Sequence, residues 1–226
     1  ARAPIHSIKS GPAMAPVAGR HYAALEVDTA TAIIADTGGT SYDVSVVRRG
    51  RIPWTRETWI GEPHRGHMTG FPSVDVRSIG AGGGSLAWVD DGGLLHIGPE
   101  SAGSVPGPAC YGLGGELPTV TDANLVLGLL DAHGFLGGRA TLDRERAKAA
   151  IDEHVGGPLG LPTVEAAYGV YRVVSTAMAE GIRLLAARRG VDPRDFPIVA
   201  FGGAAGLHVV RVARELRIDT AHIPAA

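Results

Sequence analysis

The sequence predicts an α/β layered domain, on three observations. Two apolar runs, 30–35 and 44–47, flank a Gly38-Gly39 turn, which reads as strand–turn–strand. Later, a long helical period is followed by a short apolar run, a second helix and a last strand, the alternation of a layered α/β fold. Glycine supplies 33 of 226 residues, about twice its usual share of roughly 7%. It is gathered in pairs and triplets between apolar runs, where it marks sharp turns or close backbone approach.

The run 30–35 is read as a buried strand and 44–47 as its antiparallel partner, with Gly50 as the next turn. Residues 51–73 are rich in Trp, Pro, Gly and His without a clean period and are expected to form a strand plus an irregular excursion. Residues 74–79 alternate with period two and predict one strand running into Gly80-Ala81-Gly82-Gly83-Gly84-Ser85. Residues 85–89 and 94–97 flank Asp90-Asp91-Gly92-Gly93, a hairpin signal. The stretch 98–118 is nearly all Gly, Pro and small residues and predicts a long loop of the kind usually tied to function.

Thr121 or Asp122 is expected to cap a short helix through Leu130, and Asp143 a helix to about Val155 with Ala147, Ala150 and Ile151 buried. The plainest helix starts at Thr163. Ala166, Val170, Val174, Met178, Ile182 and Leu185 keep its period, and Arg188-Arg189-Gly190 closes it with two cations and a C′ glycine. A strand at 198–201, a helix at 207–216 and a strand at 220–223 complete the chain.

Composition excludes several function classes. The net charge of −2 leaves no electrostatic footprint for a polyanion, so no nucleic-acid partner is expected; the only lysines are Lys9 and Lys148. No apolar run approaches the roughly 20 residues needed to cross a bilayer, and residues 1–6 lack a signal pattern. Cys110 is the single cysteine, which rules out an internal disulfide and fits a reducing compartment. The expected location is cytoplasmic.

Three glycine turns carry the candidate chemistry. In the first, Asp36-Thr37-Gly38-Gly39-Thr40-Ser41-Tyr42-Asp43, paired glycines can aim backbone N–H groups into a concave nest suited to phosphate oxygens. Thr40 and Ser41 add hydroxyls. Asp36, ending a buried strand, can hold Mg²⁺ through water. The competing reading is an ordinary hairpin turn. The second is Phe201-Gly202-Gly203-Ala204, strand into helix, where absent side chains at Gly202 and Gly203 let a flat ring approach; packing alone explains such junctions equally. The third holds Gly82 and Gly83, for which close approach to a ligand and a β-bulge are both open. Neither a Gly-x-x-x-x-Gly-Lys-Ser/Thr nor a Gly-x-Gly-x-x-Gly signature occurs.

Other titratable residues read as structural. His208 at a helix start is expected to pack, and Cys110, without a base nearby in sequence, to be a buried thiol. His64, His67 and Asp75 match no metal-site spacing. Asp122 and Asn124 face a cleft or, for Asp122, cap a helix.

Taken in order, the 36–44 turn, Ile79-Gly80-Ala81-Gly82-Gly83-Gly84-Ser85, Ser101 to Gly112, Pro118-Thr119-Val120-Thr121-Asp122-Ala123-Asn124, Phe135-Leu136-Gly137-Gly138 and Ala200-Phe201-Gly202-Gly203-Ala204 resemble the hydantoinase A/5-oxoprolinase family, which includes ATP-dependent acetone and acetophenone carboxylase subunits. The likeness runs from about Ser10 to the C-terminus. It implies an actin/hexokinase-like (ribonuclease H-like) ATPase half-domain, a mixed sheet with flanking helices, with ATP and Mg²⁺ as cofactors. By motif position, residues 36–43 resemble a second phosphate loop and Gly202-Gly203 an adenosine loop.

The resemblance further implies opening of a cyclic amide or, alternatively, activation of a ketone for carboxylation, beside a hydantoinase B-type partner. Trp54, Trp59, His64, His67 and Phe71 resemble the acetophenone carboxylase branch. Only one Asp-x-Gly-Gly-Thr-type loop is present. The chain is therefore expected to be the C-terminal nucleotide-binding half (30–226, after a linker or helical lead-in at 1–29) of a longer subunit, working with an N-terminal half. A non-catalytic nucleotide-binding module is the remaining alternative.

Overall fold

In a computed structural model, residues 10–60 and 65–225 are described. The centre is a five-stranded mixed sheet of β1 (Ala32–Thr37), β2 (Tyr42–Val47), β7 (Arg77–Ile79), β10 (Ile198–Phe201) and β11 (Ala221–His222), ordered β11-β10-β1-β2-β7. β10 runs parallel to β1 and β11, while β2 is antiparallel to both β1 and β7. The pleat sorts each strand's side chains between two faces. Ile33, Ala35, Val44, Val46, Ile198 and Ala200 enter the main core under helices α5 (Thr163–Arg189) and α6 (Ala205–Leu216). Ala32, Ile34, Val47 and Val199 pack on the opposite face against Ala15 and Ala23 of α1 (Ser10–Glu26). Burial on both faces is why these strands read as continuous apolar runs instead of alternating ones.

α5 follows its sequence signals. It ends at Arg189 with Gly190 left-handed (φ 62°) as C-cap, and Ala166, Val170, Val174, Met178, Ile182 and Leu185 are buried. α3 (Arg144–Ile151) is capped by Asp143, whose carboxylate accepts from the N–H groups of Glu145 and Arg146, and a π-turn at Asp152–Gly156 extends it. The hairpin forms as read, as β8 (Ser85–Val89) and β9 (Leu95–Ser101), with Asp90 Oδ1 accepting from the N–H groups of Gly92 and Leu94. β9 claims the first residues of the expected loop because Ser101 still pairs with Ser85.

Two expectations need correction. The predicted strand 74–79 is split. Val74 belongs to β6 (Ser73–Val74), paired with β3 (Trp54–Thr55) in a side ribbon, whereas Arg77 opens β7 in the main sheet. Between them Asp75 turns toward Arg189, whose Nε donates to Oδ2 at 2.7 Å. The second concerns α2 (Val120–Val126). It is capped by Thr119, not Thr121 or Asp122, through a reciprocal box in which Thr119 accepts from the Asp122 N–H and Asp122 accepts from that of Thr119. It stops before Leu130 because Gly128 takes a left-handed φ of 75°. The excursion after β3 holds β4 (Trp59–Ile60) paired with β5 (His67–Met68).

Candidate functional site

All three glycine turns meet at the ends of β1 and β10. The β1–β2 turn is closed by the Gly38 N–H on the Ser41 carbonyl (3.1 Å). The Gly80–Ser85 segment lies directly beneath it: Gly83 N–H donates to Gly38 O (3.0 Å) and Gly84 N–H to Gly39 O (2.6 Å). The start of α2 supports that segment in turn, with both the N–H (2.7 Å) and the hydroxyl (2.8 Å) of Thr121 on Gly83 O. From the other side, Ala204 N–H donates to Thr37 O (3.1 Å), which brings the start of α6 against β1. The result is a platform of main chain with little side-chain cover.

The glycines divide by task. A Cβ on Gly82 would sit 2.7 Å from backbone atoms of Gly39 and Thr40, and one on Gly202 would strike the Thr37 carbonyl and lie 2.5 Å from Asp36 Oδ1. These two permit contact between loops, and Gly202 also needs its φ of 85°. Gly82 and Gly83 are buried, Gly83 lying 3.0 Å from Thr121 Oγ1 at its Cβ position, whereas Gly202 is exposed. Gly38, Gly39 and Gly203 are also exposed, but a Cβ there would meet nothing within 4 Å. The backbone of the third turn packs against the first turn, and a register shift follows it between Ser85 and Ala87.

Among the described residues, no acceptor reaches the N–H of Gly39 or Thr40. Thr40 is exposed and Ser41 half-buried, its hydroxyl donating to Asp43 Oδ2 (3.1 Å). Open amides, hydroxyls and the nearby α6 N-terminus suit an anion such as phosphate. Two carboxylates stand beside them. Asp36 and Asp43 are cross-strand partners in β1–β2. Partial burial, and then the charge of Asp43, raise the Asp36 carboxyl above its ordinary value. Asp43 is 8% exposed, and its Oδ1 is buried with no hydrogen-bond partner among the described residues. Like-charged carboxylates with an orphaned oxygen fit a hard divalent cation, and Mg²⁺ completes its shell with water and phosphate oxygens. No group of three or more His, Cys, Asp or Glu side chains gathers among the described residues.

Behind the platform lies a buried polar chain. His208, 1% exposed, joins α6 to α2 through Asn124 (Nε2···Nδ2 3.2 Å) and to α5 through Ser175 (Nδ1···Oγ 3.1 Å). The Ser175 hydroxyl donates to the Tyr171 carbonyl (2.7 Å), so Ser175 accepts from Nδ1–H and Nε2 accepts from Asn124, the pattern of a neutral imidazole. Burial pushes the imidazole down to about 4. The packing role expected of His208 is the observed one, although its partners and those of Asn124 are far away in sequence and left no local signal. Asp122 is fully buried and accepts from the N–H groups of Ala109, Cys110 and Thr119 and from the Thr119 hydroxyl. As the N3 member of the box it supports the Thr119 cap of α2, and it pins the backbone at 109–110. Cys110 is fully buried, its thiol pushed up by burial and by Asp122. Of the residues weighed as metal ligands, His64 lies outside the described residues and Asp75 is engaged by Arg189.

A family model described as hydantoinase/oxoprolinase matches residues 1–226. The chain belongs to the hydantoinase/oxoprolinase family. Within it, the chain is 43% identical over 221 residues to the caprolactamase subunit alpha of Pseudomonas jessenii, covering 97% of this chain and 31% of that relative. It is 40% identical over 202 residues to the acetophenone carboxylase gamma subunit of Aromatoleum aromaticum, covering 88% of this chain and 27% of the relative. The crystal structure of the ATP-dependent caprolactamase from Pseudomonas jessenii superimposes with a TM-score of 0.84 at 44% identity, over 95% of this chain and 30% of that one. The chain thus spans about three tenths of the length of these family members, and the relatives are subunits by name.

Proposed function

We propose that this chain is the C-terminal nucleotide-binding half of an ATP-dependent cyclic-amide hydrolase, of actin/hexokinase-like fold, and forms one wall of the nucleotide cleft. The observation that carries the reading is the open 38–41 turn, whose Gly39 and Thr40 N–H groups meet no acceptor among the described residues, beside the Asp36–Asp43 pair. Likeness to the ATP-dependent caprolactamase supports the same assignment.

On this reading Gly39 and Thr40 amides, with the Thr40 and Ser41 hydroxyls, orient phosphate oxygens, and the start of α6 adds its positive end. Asp36 and Asp43 hold Mg²⁺, Asp36 through water. Gly203 leaves a flat surface for the nucleoside, while Gly82, Gly83 and Gly202 fix the loops. ATP, when bound, supplies a phosphoryl group that activates an amide oxygen toward ring opening. The opposing wall belongs to an N-terminal half of the same subunit, and a hydantoinase B-type partner completes the assembly. The identity to an acetophenone carboxylase subunit favours a second reading, in which the activated group belongs to a ketone or bicarbonate.

Calorimetric titration of the chain with Mg²⁺–ADP tests the cleft wall. Binding that requires Mg²⁺ and is lost in Asp43→Asn is expected; equal binding by the variant overturns the assignment. In the full subunit with its partner, ADP release stimulated by lactams or hydantoins selects the hydrolase, and stimulation by aromatic ketones with bicarbonate selects the carboxylase.

A further inference from the structure

A half-open cleft of about 500 Å³ separates the β8–β9 hairpin from the π-turn that ends α3. Trp88 stands at its edge, 46% exposed, and is not a loose surface side chain. Its indole Nε1 donates to Gly98 O (3.3 Å), and His96 stacks on it at 4.4 Å and 20°. His96 is in turn held by Asp90 (Nε2···Oδ2 2.7 Å). The ring is therefore preorganised and pays little ordering entropy on contact.

Leu86, Pro99, Leu117 and Pro158 make the apolar part of the lining, and Glu100 and Glu153 the charged part. Both carboxylates are exposed, and among the described residues neither has a salt-bridge partner. The π-turn brings Glu153 and His154 to the cleft; such turns recur at functional sites. A fixed exposed tryptophan beside apolar walls is the pattern of an interface anchor, and tryptophan and arginine anchors tend to meet. An aromatic face with two unpaired carboxylates selects a cation carried on an apolar stem.

We propose that this cleft is a docking site for a partner polypeptide, which inserts an arginine or lysine side chain along Trp88 with its charge between Glu100 and Glu153. The inference stands apart from the nucleotide reading, since the cleft's lining includes no residue of the three glycine turns.

The test uses the acetylated peptide amide Gly-Ser-Leu-Arg-Leu-Ser-Gly as probe, titrated by calorimetry into the wild-type chain, Trp88→Ala and the double variant Glu100→Gln/Glu153→Gln. Circular dichroism checks folding; the glutamine pair is isosteric and exposed, so it keeps the test valid should Trp88→Ala misfold. Expected are binding to the wild-type chain and about tenfold weaker binding in the glutamine variant, equivalent to roughly 1.4 kcal/mol. A comparable loss is expected when citrulline replaces the arginine. The proposal is overturned by no binding at millimolar peptide, by equal binding of the citrulline peptide, or by arginine amide alone binding as tightly, which would make the cleft a small-cation site.

Discussion

Asp36 and Asp43 face each other at the mouth of the sheet, and their proximity is a cost in the absence of a cation. Because the Asp36 carboxyl is raised in the folded state, the native protein binds a proton there more readily than the unfolded chain. Its contribution thus weakens stability as pH rises above the ordinary aspartate range. Asp36→Asn is expected to raise the melting temperature of the ligand-free chain while abolishing Mg²⁺-dependent nucleotide binding; a lowered melting temperature would mark Asp36 as structural. His208 has the opposite sign, because burial disfavours the protonated, charged form of an imidazole. Its folded value, about 4, lies below its ordinary 6.5, so the unfolded state takes up the proton first. Stability is full above pH 6.5 and falls by up to about 3 kcal/mol as pH drops to 4. Urea unfolding across that range should show the slope, and His208→Gln should flatten it. The glycines give a paired prediction. Gly202→Ala, with a positive φ and a blocked Cβ, should cost about 3 kcal/mol or more. Gly38→Ala, whose added Cβ would meet nothing within 4 Å, should stay within about 0.5 kcal/mol in stability and lose nucleotide affinity in calorimetry.

At the level of elements, what the sequence disclosed depended on whether the signal was local. α5, α3 and the Asp90–Gly93 turn carry their own caps and breakers, so their limits could be read directly. The strand at 74–79 could not, because its break is made by Arg189, more than a hundred positions away. α2 shows the same limit: Asp122 looked like a cap or a cleft residue, and its burial under the 109–110 backbone became visible only with the fold. Asp122→Asn replaces an acceptor of four hydrogen bonds with a group that cannot accept at both ends. It should cost about 2–4 kcal/mol, measured by chemical denaturation, and loosen the 98–118 segment to proteolysis.

For the molecule as a whole, the α/β layering was legible from element order and the candidate phosphate turn from its composition, while the mixed sheet was implied by the family resemblance and the packing of α1 on its second face was not read. The convergence of three glycine turns was not, since glycine pairs specify permissiveness and not a partner. On the nucleotide reading, a single wall binds weakly and turns nothing over. Purified 1–226 is expected to show little or no ATP hydrolysis in a coupled ADP assay, and robust turnover would sink the need for a second half.

The hydrogen bonds that build the platform join residues near positions 38, 83, 121 and 204, and β1 finds its parallel neighbour across most of the chain. No short stretch can assemble this surface alone. Its formation waits on loop closures that are slow for a chain of this topology, so the site should be among the last features to appear during refolding. Once formed, the amides of Gly83, Gly84 and Thr121 should exchange with solvent only through global opening, while those of Gly39 and Thr40 exchange freely. Hydrogen-exchange measurements on the ligand-free chain would then see a rigid floor under an unprotected rim, and nucleotide should slow exchange at the rim alone.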